Sequence, residues 1–323
     1  MKLDGCILSI CSLSAFALTA RATNVSDAFR RALVEGAHAR VVVSVCDDDG
    51  VPVRGAEVIA AIARGVDEYS VLGSTDINGK LILEGDTTGN YIQISVSKSG
   101  YYDSKIKFSY INMGAEHEVK DGKWQPYGGE ERIALRRIIN PVSLLSKGGS
   151  FDIPVTNKWI SFDVFKMDWG RPYGGGDVND LELMFEWDGL YQNMSEFQRL
   201  RLKFPNCVDG AYVLPTEDYS SFRYAYSAQT NACYGKEFDY SMRREGGKYM
   251  ANKLDDSSEM VWRLRTTTNE HGKVVSCHYG QFRGLDFGGG VAKGEFYLYR
   301  DMNPKPNDTN LEPKGDDHFD DED

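Results

Sequence analysis

Residues 45–58 constrain the fold more than any other part of the chain. The run 40–45 is rich in β-branched residues, which favours a strand, and the aspartates before Gly50 can hydrogen-bond their own backbone in a tight turn. Pro52 fits only at a strand start or an edge, and Gly55 allows another strand to approach closely. The segment therefore predicts a strand, a turn and a second strand.

The following stretch continues the pattern of a sheet with one buried face. Residues 74–81 indicate a turn and then a strand, because Asp, Asn and Gly cluster at 76–79 before an aliphatic run. In residues 91–97 aliphatic and polar side chains alternate, which is the period of a half-buried strand. We expect a sandwich over residues 37–139, closed by a strand at 133–136, with a core that includes Val43, Val58, Leu83, Ile94 and Val96.

The turns of this region carry a family resemblance. The chain resembles the carboxypeptidase-regulatory-like, prealbumin-type β-sandwich family at Asp49, Gly50, Pro52, Val53, Gly55, Ala56, Val58, Thr75, Asp76, Gly79, Tyr91, Gly100 and Tyr101. Three features of relatives are missing: the zinc-binding H-x-x-E of the peptidases, the Tyr-Arg-Gly-Ser ending of prealbumin-like hydrolases, and a Lys in the first strand for an isopeptide bond. The resemblance therefore implies a plain Greek-key sandwich without metal or cofactor.

The second half of the chain is also predicted to be β-structure. At 323 residues the chain is long enough for two domains, and clustered Gly and Ser at 140–150 predict a linker. Residues 151–311 contain many short alternating segments and no helical period, which is typical of a second sandwich or a jelly roll. The predicted class is all-β: a prealbumin-like Greek-key β-sandwich followed by a second β-sandwich or jelly-roll-like domain. Segments 138–142 and 303–308 resemble parts of uncharacterised bacterial secreted proteins.

The two ends of the chain indicate export and a solvated tail. Lys2 and a short apolar run ending in small residues predict a signal peptide over 1–22, followed by a helical lead-in over 23–36. The acidic residues of 312–323 predict disorder, because like charges repel. We expect a secreted, periplasmic or cell-surface protein without an integral membrane segment.

Charge argues against a nucleic-acid partner. The formal net charge is −11, and six acids lie in residues 316–323, so the rest of the chain carries −5. Basic residues occur as short pairs such as Arg136 and Arg137, whereas nucleic-acid binding needs them clustered. A glycan or a surface protein is the expected partner.

The Gly-rich stretch 168–180 is the strongest candidate for ligand binding. It carries Trp, Tyr and Arg between two predicted strands, and loops on a rigid scaffold often hold ligands. Aromatic rings there would stack on sugars while polar groups form hydrogen bonds, which makes the candidate contacts Trp169, Arg171, Tyr173, Asp177, Asn179 and Asp180. The alternative is a structural loop with its Trp in the core. The oxygen-bearing residues fall short of a full calcium ligand set.

Acidic residues on one predicted strand allow an enzymatic alternative. Glu182, Glu186 and Asp188 share a strand face, and same-face neighbours two residues apart lie roughly 7 Å apart, a separation compatible with glycoside hydrolysis. An ordinary solvated strand face is the simpler explanation. Cys277 and His278 would point to opposite faces of a strand, which argues against a thiol–imidazole site.

Four cysteines follow the predicted signal peptide: Cys46, Cys207, Cys233 and Cys277. In an exported protein, a disulfide between Cys207 and Cys233 would brace the long loop between them and contribute roughly 3 kcal/mol. Four unpaired thiols are the alternative. The sequence as a whole predicts a non-catalytic exported structural or binding module, with a glycan-directed hydrolase as the alternative.

Overall fold

The computed structural model describes residues 27–110, 119–190, 195–214, 220–245, 248–252, 259–289 and 294–314. The predicted signal peptide, 1–22, lies outside the described residues. The protein is all-β, as predicted, with a single helix among the described residues. No described helix has the length and apolarity that a membrane span needs.

The described residues of the first half form a helix and nine strands. In chain order these are α1 (Asp27–Glu35), β1 (Ala37–Asp47), β2 (Glu57–Arg64), β3 (Asp67–Ser74), β4 (Lys80–Thr87), β5 (Tyr91–Ser97), β6 (Ser104–Ser109), β7 (Val119–Lys120), β8 (Lys123–Trp124) and β9 (Gly129–Leu135). One sheet has the order β4-β1-β8-β7, with β9 also pairing with β1, and the other has the order β3-β2-β5-β6.

Alternate residues of the two sheets fill a shared core. The residues predicted for that core, Val43, Val58, Leu83, Ile94 and Val96, are all buried, which confirms the predicted register of their strands. Gly79 has a φ of 72°, and a Cβ there would overlap the carbonyl oxygen of Val45, so the turn before β4 requires glycine.

The lead-in helix covers one end of this core. Phe29 and Ala32 of α1 are buried, and the Phe29 ring meets Trp124 edge-on with centroids 5.6 Å apart. The Trp124 indole donates to the Thr87 carbonyl at 3.0 Å. Helix α1 lies within the segment 23–36 that was predicted as a helical lead-in, and it is packed onto the sandwich.

The part of the second half that the structure describes forms eleven strands: β10 (Leu145–Asp152), β11 (Ile160–Asp163), β12 (Asp168–Trp169), β13 (Leu181–Leu190), β14 (Ser195–Lys203), β15 (Gly210–Val213), β16 (Glu237–Glu245), β17 (Lys248–Asn252), β18 (Met260–Thr268), β19 (Val274–Gly289) and β20 (Gly294–Met302). A five-stranded sheet has the order β10-β20-β19-β18-β15, and a six-stranded sheet has the order β12-β11-β13-β14-β16-β17. Their inward side chains form one core that is rich in aromatic residues.

Two segment boundaries differ between the prediction and the structure. The linker predicted at 140–150 overlaps β10, because an edge strand tolerates the Gly and Ser that break periodicity. The tail predicted from residue 312 begins later, because Leu311, Glu312 and Pro313 are buried, while 315–323 lie outside the described residues.

A seam of aromatic and polar residues joins the two halves; its members are Tyr102, Phe222, Tyr224, Tyr226 and Glu312. The rings of Tyr102 and Phe222 lie 4.4 Å apart between centroids. The Tyr226 hydroxyl donates to the Arg137 carbonyl at 2.7 Å. The first sandwich is therefore held against the second through both apolar contact and hydrogen bonds.

Candidate functional site

The Gly-rich loop is organised from inside by the buried Asp163, at the end of β11. Its carboxylate accepts hydrogen bonds from the backbone N–H groups of four residues: Phe165, Lys166, Asp177 and Val178. Burial raises the pKa of Asp163, but these bonds and the nearby Arg265 charge outweigh it, so the pKa lies below its usual value. The carboxylate is therefore a structural anchor for both ends of the loop.

Arg265 joins this anchor to the opposite sheet. Its Nη2 lies 2.9 Å from Asp163 Oδ1 and 2.8 Å from Asp180 Oδ2, and its guanidinium lies 3.7 Å from the centroid of the Phe165 ring. Strand β18 has an irregular register beyond Leu264, and such a bulge re-aims a side chain. Burial raises the pKa of Asp180 despite the Arg265 charge. These groups pair with one another inside the fold, where Asp163 and Asp180 are buried.

Close packing explains the glycines of the loop. A Cβ at Gly170 would overlap the Ser161 hydroxyl, and one at Gly176 would lie 2.9 Å from the Trp169 carbonyl oxygen. Cβ atoms in real proteins essentially never lie within 3.0 Å of such atoms, so the loop can fold only with glycine at these two positions. The glycines are therefore needed by the fold itself, whether or not a ligand binds.

The structure does not bring the six candidate contacts together on one surface. Trp169 is 5% exposed, and its indole donates to the Asp152 carbonyl at 3.0 Å. Asp180 is buried in the Arg265 cluster. The prediction of a sugar-stacking Trp169 is corrected here, because alternation across β12 turns its ring into the core, against Phe162, Phe185 and Phe296.

The other candidate contacts lie at the surface. Tyr173 is 44% exposed and the Arg171 side chain is exposed. Asp177 pairs with Lys166 and, at 3.7 Å, with Arg171, while the Asn179 amide donates to Glu182 at 3.1 Å. Their role in ligand binding stays a prediction.

The carboxylates proposed for the hydrolase alternative are held by cations on β14. Glu182 lies 2.7 Å from Lys203, and Glu186 lies 2.9 Å from Arg201 and 3.3 Å from Arg199. The hydrogen bond from Lys203 lowers the pKa of Glu182. A general acid for glycoside hydrolysis needs the opposite shift. The side chain of Asp188 is outside the described residues.

The four described cysteines are free thiols, so the predicted disulfide is not formed. Cys207 lies in the turn between Asn206 and Asp209. Cys233 lies two residues before Gly235, which forms a β-bridge with Ala211. Both thiols are exposed.

The adjacent Cys277 and His278 do not form a reactive pair. The Cys277 thiol is buried and lies 3.6 Å from the Asn307 side-chain oxygen. The His278 ring instead meets Phe165 edge-on, with centroids 5.1 Å apart. Burial lowers the pKa of His278.

Two groups of residues were missed by sequence reasoning. Glu312 joins the halves of the molecule, and no local pattern distinguishes it from the acidic tail that follows. Tyr297 and Tyr299 are exposed on the outer face of β20. Their alternation with Phe296 and Leu298 could have indicated that surface, because same-face residues recur every second position in a strand.

Comparisons with known proteins identify no family. No family model matches the chain, and no curated protein matches its sequence. Among solved structures, catechol 1,2-dioxygenase of Acinetobacter radioresistens shares 15% identity over 33% of this chain and 54% of its own, with a TM-score of 0.26. The chain spans 54–60% of the length of the dioxygenases it matches.

Two further structures match over more of the chain. The major pilin SpaD of Corynebacterium diphtheriae shares 9% identity over 86% of this chain and 84% of its own, with a TM-score of 0.25. A DUF3823 family protein of Parabacteroides merdae shares 6% identity over 82% of this chain and 98% of its own, with a TM-score of 0.22. Scores this low transfer no activity to this protein.

Proposed function

We propose that the protein is an exported, non-catalytic module in which two β-sandwiches act as one structural unit. The observation that carries this proposal is the seam carboxylate, Glu312, which is 2% exposed. It accepts hydrogen bonds from the backbone N–H groups of Ile139 at 2.7 Å and Asn140 at 2.6 Å. The Tyr102 hydroxyl lies 3.1 Å from the carboxylate and donates to the neighbouring Pro313 carbonyl at 2.6 Å. This buried carboxylate of the second half accepts hydrogen bonds from the end of the first sandwich and from the segment that follows it. It therefore joins the two folding units.

The surrounding contacts support the same function. Ser104 of β6 and Ser221 bond each other across the seam, and Asp47 at the end of β1 pairs with Arg137. Salt bridges within the second half hold Glu182 and Glu186, the carboxylates that hydrolysis would need. The charged groups at these positions therefore form ion pairs that stabilise the fold.

The finer assignments belong to the same proposal. We infer that the first sandwich is a carboxypeptidase-regulatory-like module, because its turns and core fall where that resemblance implies. We infer a secreted, periplasmic or cell-surface location and a glycan or surface protein as partner, from the predicted signal peptide and the mildly acidic body.

Calorimetry of Glu312→Ala tests the structural proposal. The wild type should unfold in one transition, because the sandwiches are coupled through the seam. The variant removes the acceptor of the Ile139 and Asn140 backbone N–H groups, so it should lose about 2 kcal/mol and unfold in two steps. Glu312→Gln, which keeps one acceptor oxygen, should be intermediate, and the exposed Glu270→Ala should match the wild type.

Two separate transitions in the wild type would contradict the coupling. The non-catalytic part is tested by incubating the protein with polysaccharides and measuring reducing sugar. Release of sugar that is lost in Glu186→Gln would show that the hydrolase alternative is correct.

A further inference from the structure

The outer face of the five-stranded sheet carries an aromatic platform. Pairing of β20 with β10 and β19 places three rows of side chains on this face, since cross-strand partners point to the same side. The rows are Asp152, Glu295 and Gly288; Ser150, Tyr297 and Asp286; and Gly148, Tyr299 and Arg283. We call this set the platform. It is three strands wide, and its large exposed side chains are the two tyrosines, because Arg283 is only 6% exposed.

The sheet surface beneath the two tyrosine rings is nearly flat. Tyr297 is 38% exposed and Tyr299 is 49% exposed. A Cβ at Gly148 would overlap the ring of Tyr299, so that ring rests directly on the backbone of β10. A Cβ at Gly288 would meet nothing within 4 Å, which leaves the opposite corner open. Same-face residues two apart on a strand lie roughly 7 Å apart, so the rings form a short row.

A structural role accounts for only one of the two rings. Tyrosine packing over a strand glycine stabilises a sheet edge, and this describes Tyr299 over Gly148. Tyr297 has Ser150 and Asp286 as its cross-strand partners and covers no glycine. Its hydroxyl bonds Glu295, which fixes the ring in place and raises the pKa of the tyrosine. An exposed ring held in position is preorganised for contact.

The charges around the rings select the class of ligand. Asp152, Asp286 and Glu295 are carboxylates, and the one arginine of the platform rows, Arg283, is buried with its Nε 2.6 Å from Asp301 Oδ2. A polyanion would be repelled, and no described group of three or more metal-ligating side chains fits a cation. Hydroxyl groups suit carboxylate acceptors, and the weakly positive C–H face of a sugar ring complements the negative face of an aromatic ring.

We propose that the platform binds a neutral glycan chain, with successive sugar rings stacked on Tyr297 and Tyr299 and their hydroxyls donating to the flanking carboxylates. The inference rests on the proposed binding function and names its site and ligand class. It replaces the Gly-rich loop, whose Trp169 is buried, as the aromatic surface of this domain.

Affinity electrophoresis tests the proposal on the whole chain. Gels containing hydroxyethylcellulose or galactomannan should retard the wild type in at least one case, and alginate gels should not. Tyr297→Ala and Tyr299→Ala should each weaken binding about tenfold, the effect of losing one stacking contact. Tyr299→Phe should bind like the wild type, and Tyr91→Ala, which removes a tyrosine that is 37% exposed on the first sandwich, is the matched control.

A second variant guards against misfolding of the tyrosine variants. Gly288→Gln adds a side chain where nothing is contacted and should block binding while the circular dichroism spectrum stays that of the wild type. Retardation that survives in all three variants, or that occurs only in alginate, or in none of these gels, overturns the platform. These results leave the non-catalytic function standing, because that function fails on release of reducing sugar.

Discussion

The two aromatic regions of the second half lie on opposite faces of the same strand, β20. Trp169 packs beneath it, with its ring centroid 6.0 Å from that of Phe296, whereas Tyr297 and Tyr299 stand on the outer face. In the sequence, the loop looks functional because aromatic, charged and glycine residues crowd together. The comparison teaches that such crowding can serve packing, while strand alternation decides which rings meet solvent.

The largest effect that tests this contrast is expected for Trp169→Ala. Loss of a buried indole should cost about 3 to 5 kcal/mol, because the ring leaves a cavity and the Asp152 carbonyl loses its donor. Urea unfolding followed by circular dichroism measures the change. Tyr173→Ala, in the same loop, is the control and should stay within about 0.5 kcal/mol of the wild type. Equal, small effects for both variants would place the indole outside the core.

An intermediate effect is expected for Asp163→Asn. The variant removes the charge that pairs with Arg265 and weakens the acceptor of four backbone N–H groups, so it should lose about 2 kcal/mol at pH 7. Because the folded pKa of Asp163 lies below its unfolded value, its contribution is full above the ordinary aspartate pKa and is lost as pH falls through the lowered pKa.

Unfolding of wild type and Asp163→Asn across acidic pH checks the sign. The difference between them should shrink as pH falls. The raised pKa of Asp180 acts in the opposite direction, and more strongly in the wild type because the Asp163 charge contributes to that rise, so it offsets part of the change. A difference that grows on acidification would contradict this assignment.

The smallest effect is expected for Asp177→Asn. This carboxylate is exposed and pairs with Lys166 at the surface, where solvent screens ion pairs. The thermal midpoint should be indistinguishable from that of the wild type. A clear drop would show that the outer part of the loop also supports the fold.

Much of the fold followed from the sequence because local signals agreed with tertiary packing. The aspartate and glycine turns and the alternation around Ile94 predicted the first sandwich and its register. The candidate site was harder to predict, since loop composition cannot tell whether Trp169 faces inward. The role of Glu312 could not be predicted from the sequence, because it depends on hydrogen-bond donors at residues 139 and 140, which are far away along the chain.

Hydroxyl-radical footprinting with mass spectrometry tests the central claim most directly, because it reports side-chain exposure residue by residue in the intact protein. The account predicts rapid oxidation of Tyr297 and Tyr299 and strong protection of Trp169. A neutral glycan that is bound should protect the two tyrosines and leave the exposed Tyr91 of the first sandwich unchanged. Rapid oxidation of Trp169 together with protection of Tyr297 and Tyr299 in the free protein would contradict the account.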